Sequence, residues 1–489
     1  MSPRSRGPVS TPHTGLEALA AEARRDFARL RYPAPNWVPH VPGPDGKPAL
    51  DVLVIGGGMC GQTLALALAR DGIANARIID RAPRGQEGPW ATYARMDTLR
   101  SPKHLTGPDL GFPALTFRAW YEAQHGFAGW ERLSKIATPD WLAYLQWVRD
   151  TAGIAVENGV EAVDIDPGLD LVRVALRSAQ GEQTVYARKV VLAGGRDGSG
   201  APYVPAFPSL ATQRPAGHTH VFHSSDTIDF ARFEGGSVGV LGASASAFDN
   251  AAVALEAGAR EVRLFSRRSH LPQINKSKWA AFPGFFHGFC DLDDDLKWQI
   301  YTYMFALQTP PPNESVLRCD RHAGFTLHFA EPWRDVVPGA GSVAVITDKA
   351  RYAFDAVILA TGFSVELASR PELARVHNRV LLWRDRILPA EAAWHPQAAR
   401  FPYLGRGFEF IEHPAAAASG LGNIHCFNWG VTLSHGAMAG DIPGLAEGVN
   451  RLARALAASL LVAGAANILP ALALHDDREL EPTRYFVQR

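Results

Sequence analysis

Two glycine-rich turns, one opening at Gly56 and the other at Gly242, constrain this chain more than any other feature of its sequence. Each stands where an apolar run hands over to a helical one. The first reads Asp51-Val-Leu-Val-Ile-Gly56-Gly-Gly58-Met59-Cys60-Gly61, and the next apolar run ends in an acid, Asp80. The second reads Val238-Gly-Val-Leu-Gly242-Ala-Ser244-Ala245-Ser-Ala247, and its next run ends in Phe265-Ser-Arg267-Arg268. A strand–turn–helix of this kind aims backbone N–H groups and a helix N-terminus at a pyrophosphate. Two such turns predict two bound dinucleotides; the bland alternative is a pair of structural turns without ligand.

The sequels separate the two ligands. An acid about 20 residues beyond the last glycine accepts hydrogen bonds from ribose hydroxyls, whereas arginines there pair with a 2′-phosphate. Asp80, followed by Arg81, therefore suits the adenosine half of FAD or NAD, and Arg267 with Arg268 suits NADP. Gly56, Gly58, Met59, Cys60 and Gly61 would cradle the first diphosphate, and Gly242, Ser244 and Ala245 the second. Ser244 and Ala247 replace the second and third glycines of the second turn, but both are small enough for a close approach.

Charge is balanced, with 49 basic and 49 acidic side chains, so no nucleic acid and no acidic membrane surface is implied. Cys60, Cys290, Cys319 and Cys426 form no CxxC pair, which argues against a redox-active disulfide, a zinc knuckle and the flavin disulfide reductases. No His/Glu/Asp set has metal-ligand spacing, so no metal is expected. A reducing cytoplasmic setting is the default. Met1 to Pro12 lacks the apolar stretch of a secretory signal. Leu16 to Leu30 is expected to be an amphipathic helix packed on the body or on a partner subunit. The uncharged run Ala455 to Leu474 is long enough to cross a bilayer, but Gly464, Asn467 and Pro470 interrupt it and a buried helix is expected.

Val190-Val-Leu-Ala193-Gly-Gly195 and Ala356-Val-Ile-Leu-Ala-Thr361-Gly362-Phe363 read as two buried strands, each ending in a small-residue turn near a cofactor. The second glycine turn lies between them. The expected fold is α/β, with two Rossmann-like dinucleotide-binding domains, one inserted in the other. Residues 1–49 form a helical extension and Pro-rich linker. Residues 50–210 and 351–489 form a discontinuous FAD-binding domain, and 211–350 form the inserted NADPH-binding domain.

The order of FAD turn, inserted NADP turn and Ala-Thr-Gly strand resembles the single-component, class B-like flavin monooxygenases: flavin-containing monooxygenases, Baeyer–Villiger enzymes and amine N-hydroxylases. Gly88-Pro-Trp90 is similar to their Gly-x-Trp against the flavin. Leu99-Arg-Ser101-Pro-Lys103-His104-Leu105, followed by Gly111-Phe-Pro113, is similar to the segment lining their flavin ring. Leu271-Pro-Gln-Ile-Asn275 resembles the N-hydroxylase stretch that contacts nicotinamide and substrate. Ser434-His435-Gly436-Ala-Met-Ala-Gly440-Asp441 combines an N-hydroxylase His-Gly turn with an acid that binds the flavin's ribityl chain. Two departures stand out. The leading aromatic of the flavin-containing monooxygenase signature is missing before Gly217, and Ser101 stands where those enzymes place an asparagine near the flavin.

The resemblance implies a glutathione-reductase-like fold that binds FAD and NADPH. It also implies a monooxygenase in which O2 adds to reduced flavin and the flavin 4a-(hydro)peroxide passes one oxygen to a small organic substrate. Heteroatom hydroxylation is favoured over Baeyer–Villiger insertion. An NADPH-dependent flavin dehydrogenase or oxidase, and a non-catalytic dinucleotide sensor, are the alternatives. Ser101, Lys103, His104 and His435 are the candidate catalytic groups. Trp90, Asn275, Thr361, Gly362 and Asp441 join the candidate cofactor contacts. The aromatic run Trp279 to Phe289, continued by Trp298, Tyr301 and Phe305, is either a substrate pocket or packing. As a pocket it implies a substrate with an apolar or aromatic body; a homo-oligomer is left open.

Overall fold

The computed structural model describes residues 15–104, 107–210, 220–416, 418–480 and 484–485. Its core is a pair of parallel sheets, as the long apolar runs before each glycine turn require. The larger sheet runs in the order Glu157–Asn158, Ala76–Asp80, Leu50–Ile55, Gly181–Leu192, Val172–Ser178, Glu161–Pro167, and Ile424–Cys426 also pairs with Gly181–Leu192. Five of these strands are mutually parallel; the Glu161–Leu192 part is an antiparallel meander. The smaller sheet is all parallel, in the order Phe325–His328, Glu261–Phe265, Ser237–Leu241, Ala356–Leu359, Val221–His223. A three-stranded antiparallel sheet, Trp333–Pro338, Val343–Thr347 and Arg351–Phe354, lies beside it.

Sheet membership moves one expected boundary. Ala356–Leu359, fully buried, pairs with Ser237–Leu241 in the smaller sheet rather than with the larger one. The 351–359 stretch, assigned by sequence to the second part of the FAD-binding domain, therefore belongs structurally with the insertion. An apolar strand reads the same in either sheet; only its pairing partner decides.

The N-terminal helix Leu16–Arg29 buries Leu19, Ala20, Ala23 and Phe27 against the body. Phe27, Tyr32 and Phe112 form an aromatic triangle, with the Phe27 and Phe112 centroids 5.1 Å apart at 84°. This extension thus braces the loop around Gly111-Phe112. The helix Thr138–Thr151 buries Trp141, Tyr144 and Leu145, and its Thr138 hydroxyl donates to the Met96 carbonyl at 2.7 Å.

The C-terminal helix Leu445–Ala463 buries one face, Leu445, Val449, Leu452, Leu456 and Leu460, as its apolar spacing demands. From Leu461 onward the expected burial fails: Leu469 is 75% and Leu474 81% exposed. Pro470 and Gly464 turn the chain away from the body, so apolar composition alone did not bury it. Among the described residues no single helix is long and apolar enough to cross a membrane. Leu445–Ala463 and Ala465–Leu474 pass that test only together, bent by 59°.

Candidate functional site

Both glycine turns open into one cleft of ≈ 1950 Å³ at the carboxyl ends of the two parallel sheets, where such sheets leave their ligand crevice. Gly56 takes φ 115°, and a Cβ there would stand 2.6 Å from the Ala193 carbonyl oxygen. At Gly61 a Cβ would lie 1.9 Å from the Gly56 oxygen, so only glycine lets the Met59–Arg70 helix approach its strand this closely. The second turn repeats the geometry: Gly242 has φ 127°, with a Cβ position 2.5 Å from the Ala360 oxygen. Ala247, fully buried, occupies the third glycine's place without a clash.

Asp80 sits at the end of its strand and accepts from the Gly57 and Ala82 N–H groups, each at 2.7 Å. Burial holds its carboxyl above the ordinary value despite those two donors. Each carboxylate oxygen keeps a further lone pair for a ribose hydroxyl. Arg81 beside it is paired with Asp197 at 2.9 Å. Trp90 lines the cleft, edge-on to Trp141 at 6.2 Å. The Gly440 N–H donates to the Cys60 sulfur at 3.4 Å, which ties the first turn to the C-terminal segment. Asp441 lies 3.4 Å from Arg196, whose guanidinium stacks 3.8 Å over the Trp429 ring.

Around the second turn, Ser244, Ala245, Arg267 and Arg268 line the cleft, as do Thr361 and Gly362. The Arg268 guanidinium also donates to the Ala306 carbonyl. No acid stands at the end of the Glu261–Phe265 strand, where it would repel a 2′-phosphate. The cradles that only glycine fits, the Asp80 carboxylate and the arginine pair together suit an FAD in the first unit and an NADPH in the second. Asn275 does not line the cleft; its side chain accepts from Ser277 N–H and caps a short turn.

The four candidate catalytic side chains do not converge. Ser101, Lys103 and His104 turn away from the cleft, because Lys103 is drawn to Trp130, donating to its carbonyl at 2.6 Å and lying 4.7 Å over its ring. His104 is exposed, edge-on to the same indole. The cleft face of this segment is instead Arg95, Met96 and Arg100. Sequence carried no signal for this, since the direction a loop side chain takes depends on its tertiary neighbours.

His435 is 2% exposed and packs on Phe408. Arg451 can only donate, so it donates to His435 Nδ1 at 3.1 Å, and Nε2–H donates to the Gly405 carbonyl at 2.8 Å. Burial, reinforced by the Arg451 charge, lowers its pKa to about 3. A permanently neutral imidazole is a structural link rather than a proton carrier near neutral pH. Arg451 in turn donates to the Phe286 and His287 carbonyls, which fixes the aromatic insertion to the Leu445–Ala463 helix.

That insertion both packs and lines. Phe289, Trp298 and Trp383 are buried in its own cluster. Phe285, Phe286, Tyr301, Met304 and Phe305 present themselves to the cleft, facing Phe401 and the 82%-exposed Trp394 at the mouth.

Comparison with known proteins agrees with this geometry. Residues 53–281 match the family model described as pyridine nucleotide-disulphide oxidoreductase. The chain is 38% identical to a FAD-dependent urate hydroxylase of Xanthomonas campestris pv. campestris over 449 residues, which is 91% of this chain and 93% of that one. It belongs to the single-component, class B-like flavin monooxygenases. Its fold is shared with an ornithine N-hydroxylase of Kutzneria sp. 744 (TM-score 0.66, 15% identity, covering 84% of this chain and 100% of that one). The same holds for L-lysine 6-monooxygenase of Pseudomonas syringae (TM-score 0.62, 18% identity, 83% and 99% covered). The cysteines of this monooxygenase are all free, three of them buried, so the disulphide chemistry in the matched family's description has no counterpart here.

Two outcomes follow from the geometry. Gly61→Ala must push the helix off its strand, and the purified variant should carry much less flavin, read as the ratio of visible to ultraviolet absorbance. The second concerns acid. His425 and His435 are held neutral by burial, at about 4 and about 3. In the unfolded chain they take up protons as the pH falls below 6.5. The stability they lend is therefore complete above that pH and is lost as the pH falls toward 4. Urea unfolding should show a loss of about 2 kcal/mol per imidazole between pH 7 and pH 5.

Proposed function

We propose that the substrate of this FAD- and NADPH-dependent monooxygenase is a planar, oxidised purine of the urate type, which it hydroxylates with one oxygen of O2. The observation that carries this is the 38% identity with a urate hydroxylase, which extends over nine-tenths of both chains and includes both nucleotide turns. The amine N-hydroxylases share the fold at 15–18% identity, which does not extend to their substrates.

In this reading the backbone of Gly56, Gly58, Met59, Cys60 and Gly61 holds the FAD diphosphate, and Asp80 holds its ribose. Trp90, Gly440 and Asp441 border the flavin end. Gly242, Ser244 and Ala245 hold the NADPH diphosphate, while Arg267 and Arg268 pair with its 2′-phosphate. Bound flavin, once reduced by NADPH, supplies the oxygen chemistry. The chain supplies the enclosure. Phe285, Phe286, Tyr301, Met304 and Phe305 give an apolar, aromatic wall that accepts a flat ring system and keeps bulk water from the reacting end of the cleft. The four unpaired cysteines suit a reducing cytoplasm.

The overall balance is urate-type substrate, O2, NADPH and a proton giving hydroxylated product, water and NADP+. With urate and NADPH in air, the near-ultraviolet absorbance of urate should fall with one NADPH and one O2 consumed per urate. NADPH oxidation that urate neither speeds nor couples to its own loss would reject this substrate. The Arg267→Ala/Arg268→Ala double variant should raise the Michaelis constant for NADPH but not for NADH, since each charge-assisted contact contributes about 1.5–3 kcal/mol. An equal loss with both nucleotides would remove the 2′-phosphate assignment.

A further inference from the structure

Three guanidinium groups cross from one nucleotide unit to the other at the edge of the cleft, and all three meet the segment 95–100. From that segment Arg95 reaches out, donating to the Ser224 carbonyl and to the Asp226 carbonyl at 2.6 Å. Arg100 donates to the Pro310 carbonyl at 2.7 Å. The third comes the other way. Arg318, on the helix Asn313–Asp320, donates to the Arg95 carbonyl at 3.2 Å and stands 3.2 Å from the Asp97 carboxylate.

Arg318 is not free to wander, because its side chain is only 8% exposed. Its Nε and Nη2 hold both oxygens of Glu256 at 2.8 and 2.6 Å, the planar two-point contact that guanidinium makes with carboxylate. Glu256 is the last residue of the Ala245–Glu256 helix, whose first residue follows the second glycine turn. A second contact joins the same two helices: the Ser315 hydroxyl donates to Asp249 at 2.5 Å, and Asp249 lines the cleft. A continuous path of short polar contacts thus runs from the NADPH turn, along its helix, through Arg318, to the backbone of the segment that presents Arg95, Met96 and Arg100 to the cleft.

We infer that Arg318 is a positioning residue that fixes the 95–100 segment in the cleft according to the occupancy of the NADPH turn. Bound NADP+ then holds the segment closed while oxygen is transferred, and reducing equivalents are not lost as H2O2. The inference rests on the flavin monooxygenase assignment and not on the identity of the substrate. The lost reaction is NADPH, a proton and O2 giving NADP+ and H2O2, which competes with hydroxylation for the same NADPH.

The test uses holoenzyme with FAD bound and needs no substrate. Arg318→Met removes both contacts; Asp97→Asn removes only the one to a carboxylate that is 66% exposed, so the fold is spared. For each, the flavin difference spectrum at saturating NADP+ and the rate of H2O2 formation from NADPH in air are measured, with the melting temperature beside them. Arg318→Met should shrink the difference spectrum and raise H2O2 formation roughly tenfold, within the usual range of coupling between sites. Asp97→Asn should shift both in the same direction, by less, at an unchanged melting temperature. Two results would overturn the inference. One is a lowered melting temperature with both flavin readouts as in the unmodified enzyme. The other is weaker NADP+ binding with an unchanged spectrum at saturation, which would confine Arg318 to the nucleotide site.

Discussion

The cleft depends on one close approach, that of the Met59–Arg70 helix to the strand Leu50–Ile55. A side-chain atom at Gly61 would occupy the same space as the Gly56 carbonyl oxygen. Without it the helix settles deep, its N-terminal N–H groups converge on the space over Gly56, and the strand's neighbour delivers Asp80 alongside. The Gly242 turn achieves the same arrangement with alanine in the third position, because its helix stands slightly further off. Everything that could be bound in this molecule is bound relative to these two helix starts.

The two units are joined by arginines rather than by an apolar seam. Arg95 and Arg100 donate to carbonyl oxygens, and Arg318 grips Glu256 while donating to the Arg95 carbonyl. A guanidinium offers five donors in a fixed plane, so a single side chain can register two backbones against each other. Burial lowers the Arg95 pKa to about 10, still far above neutrality, so its charge persists in the folded protein. The aromatic insertion is attached in the same manner, through Arg451 and the neutral His435. This lets one face of the insertion pack among Trp298 and Trp383 while the other borders the cleft.

The parts of the site that could be read from sequence are the local ones. Gly56 to Gly61, Asp80, Arg267 and Arg268 lie within short stretches whose chemistry follows from spacing along one strand and one helix. Trp90 and Asp441 were reached through family resemblance, and both line the cleft. Ser101, Lys103 and His104 were inferred from the same resemblance, yet Trp130, some 27 residues away in sequence, turns Lys103 aside. Arg318 carried no motif at all; its meaning lies wholly in what it touches.

Sequence by itself determined that this chain builds two dinucleotide-binding units, which turn takes which nucleotide, and the α/β class of the fold. These follow from backbone conformations that only small residues permit and from charges placed a fixed distance along a strand. The tertiary structure alone decided that Ala356–Leu359 joins the smaller sheet, that His435 is a neutral strut, and that Arg95, Met96 and Arg100 face the cleft. Strand pairing, burial and side-chain direction are set by groups distant in sequence, and no local pattern encodes them.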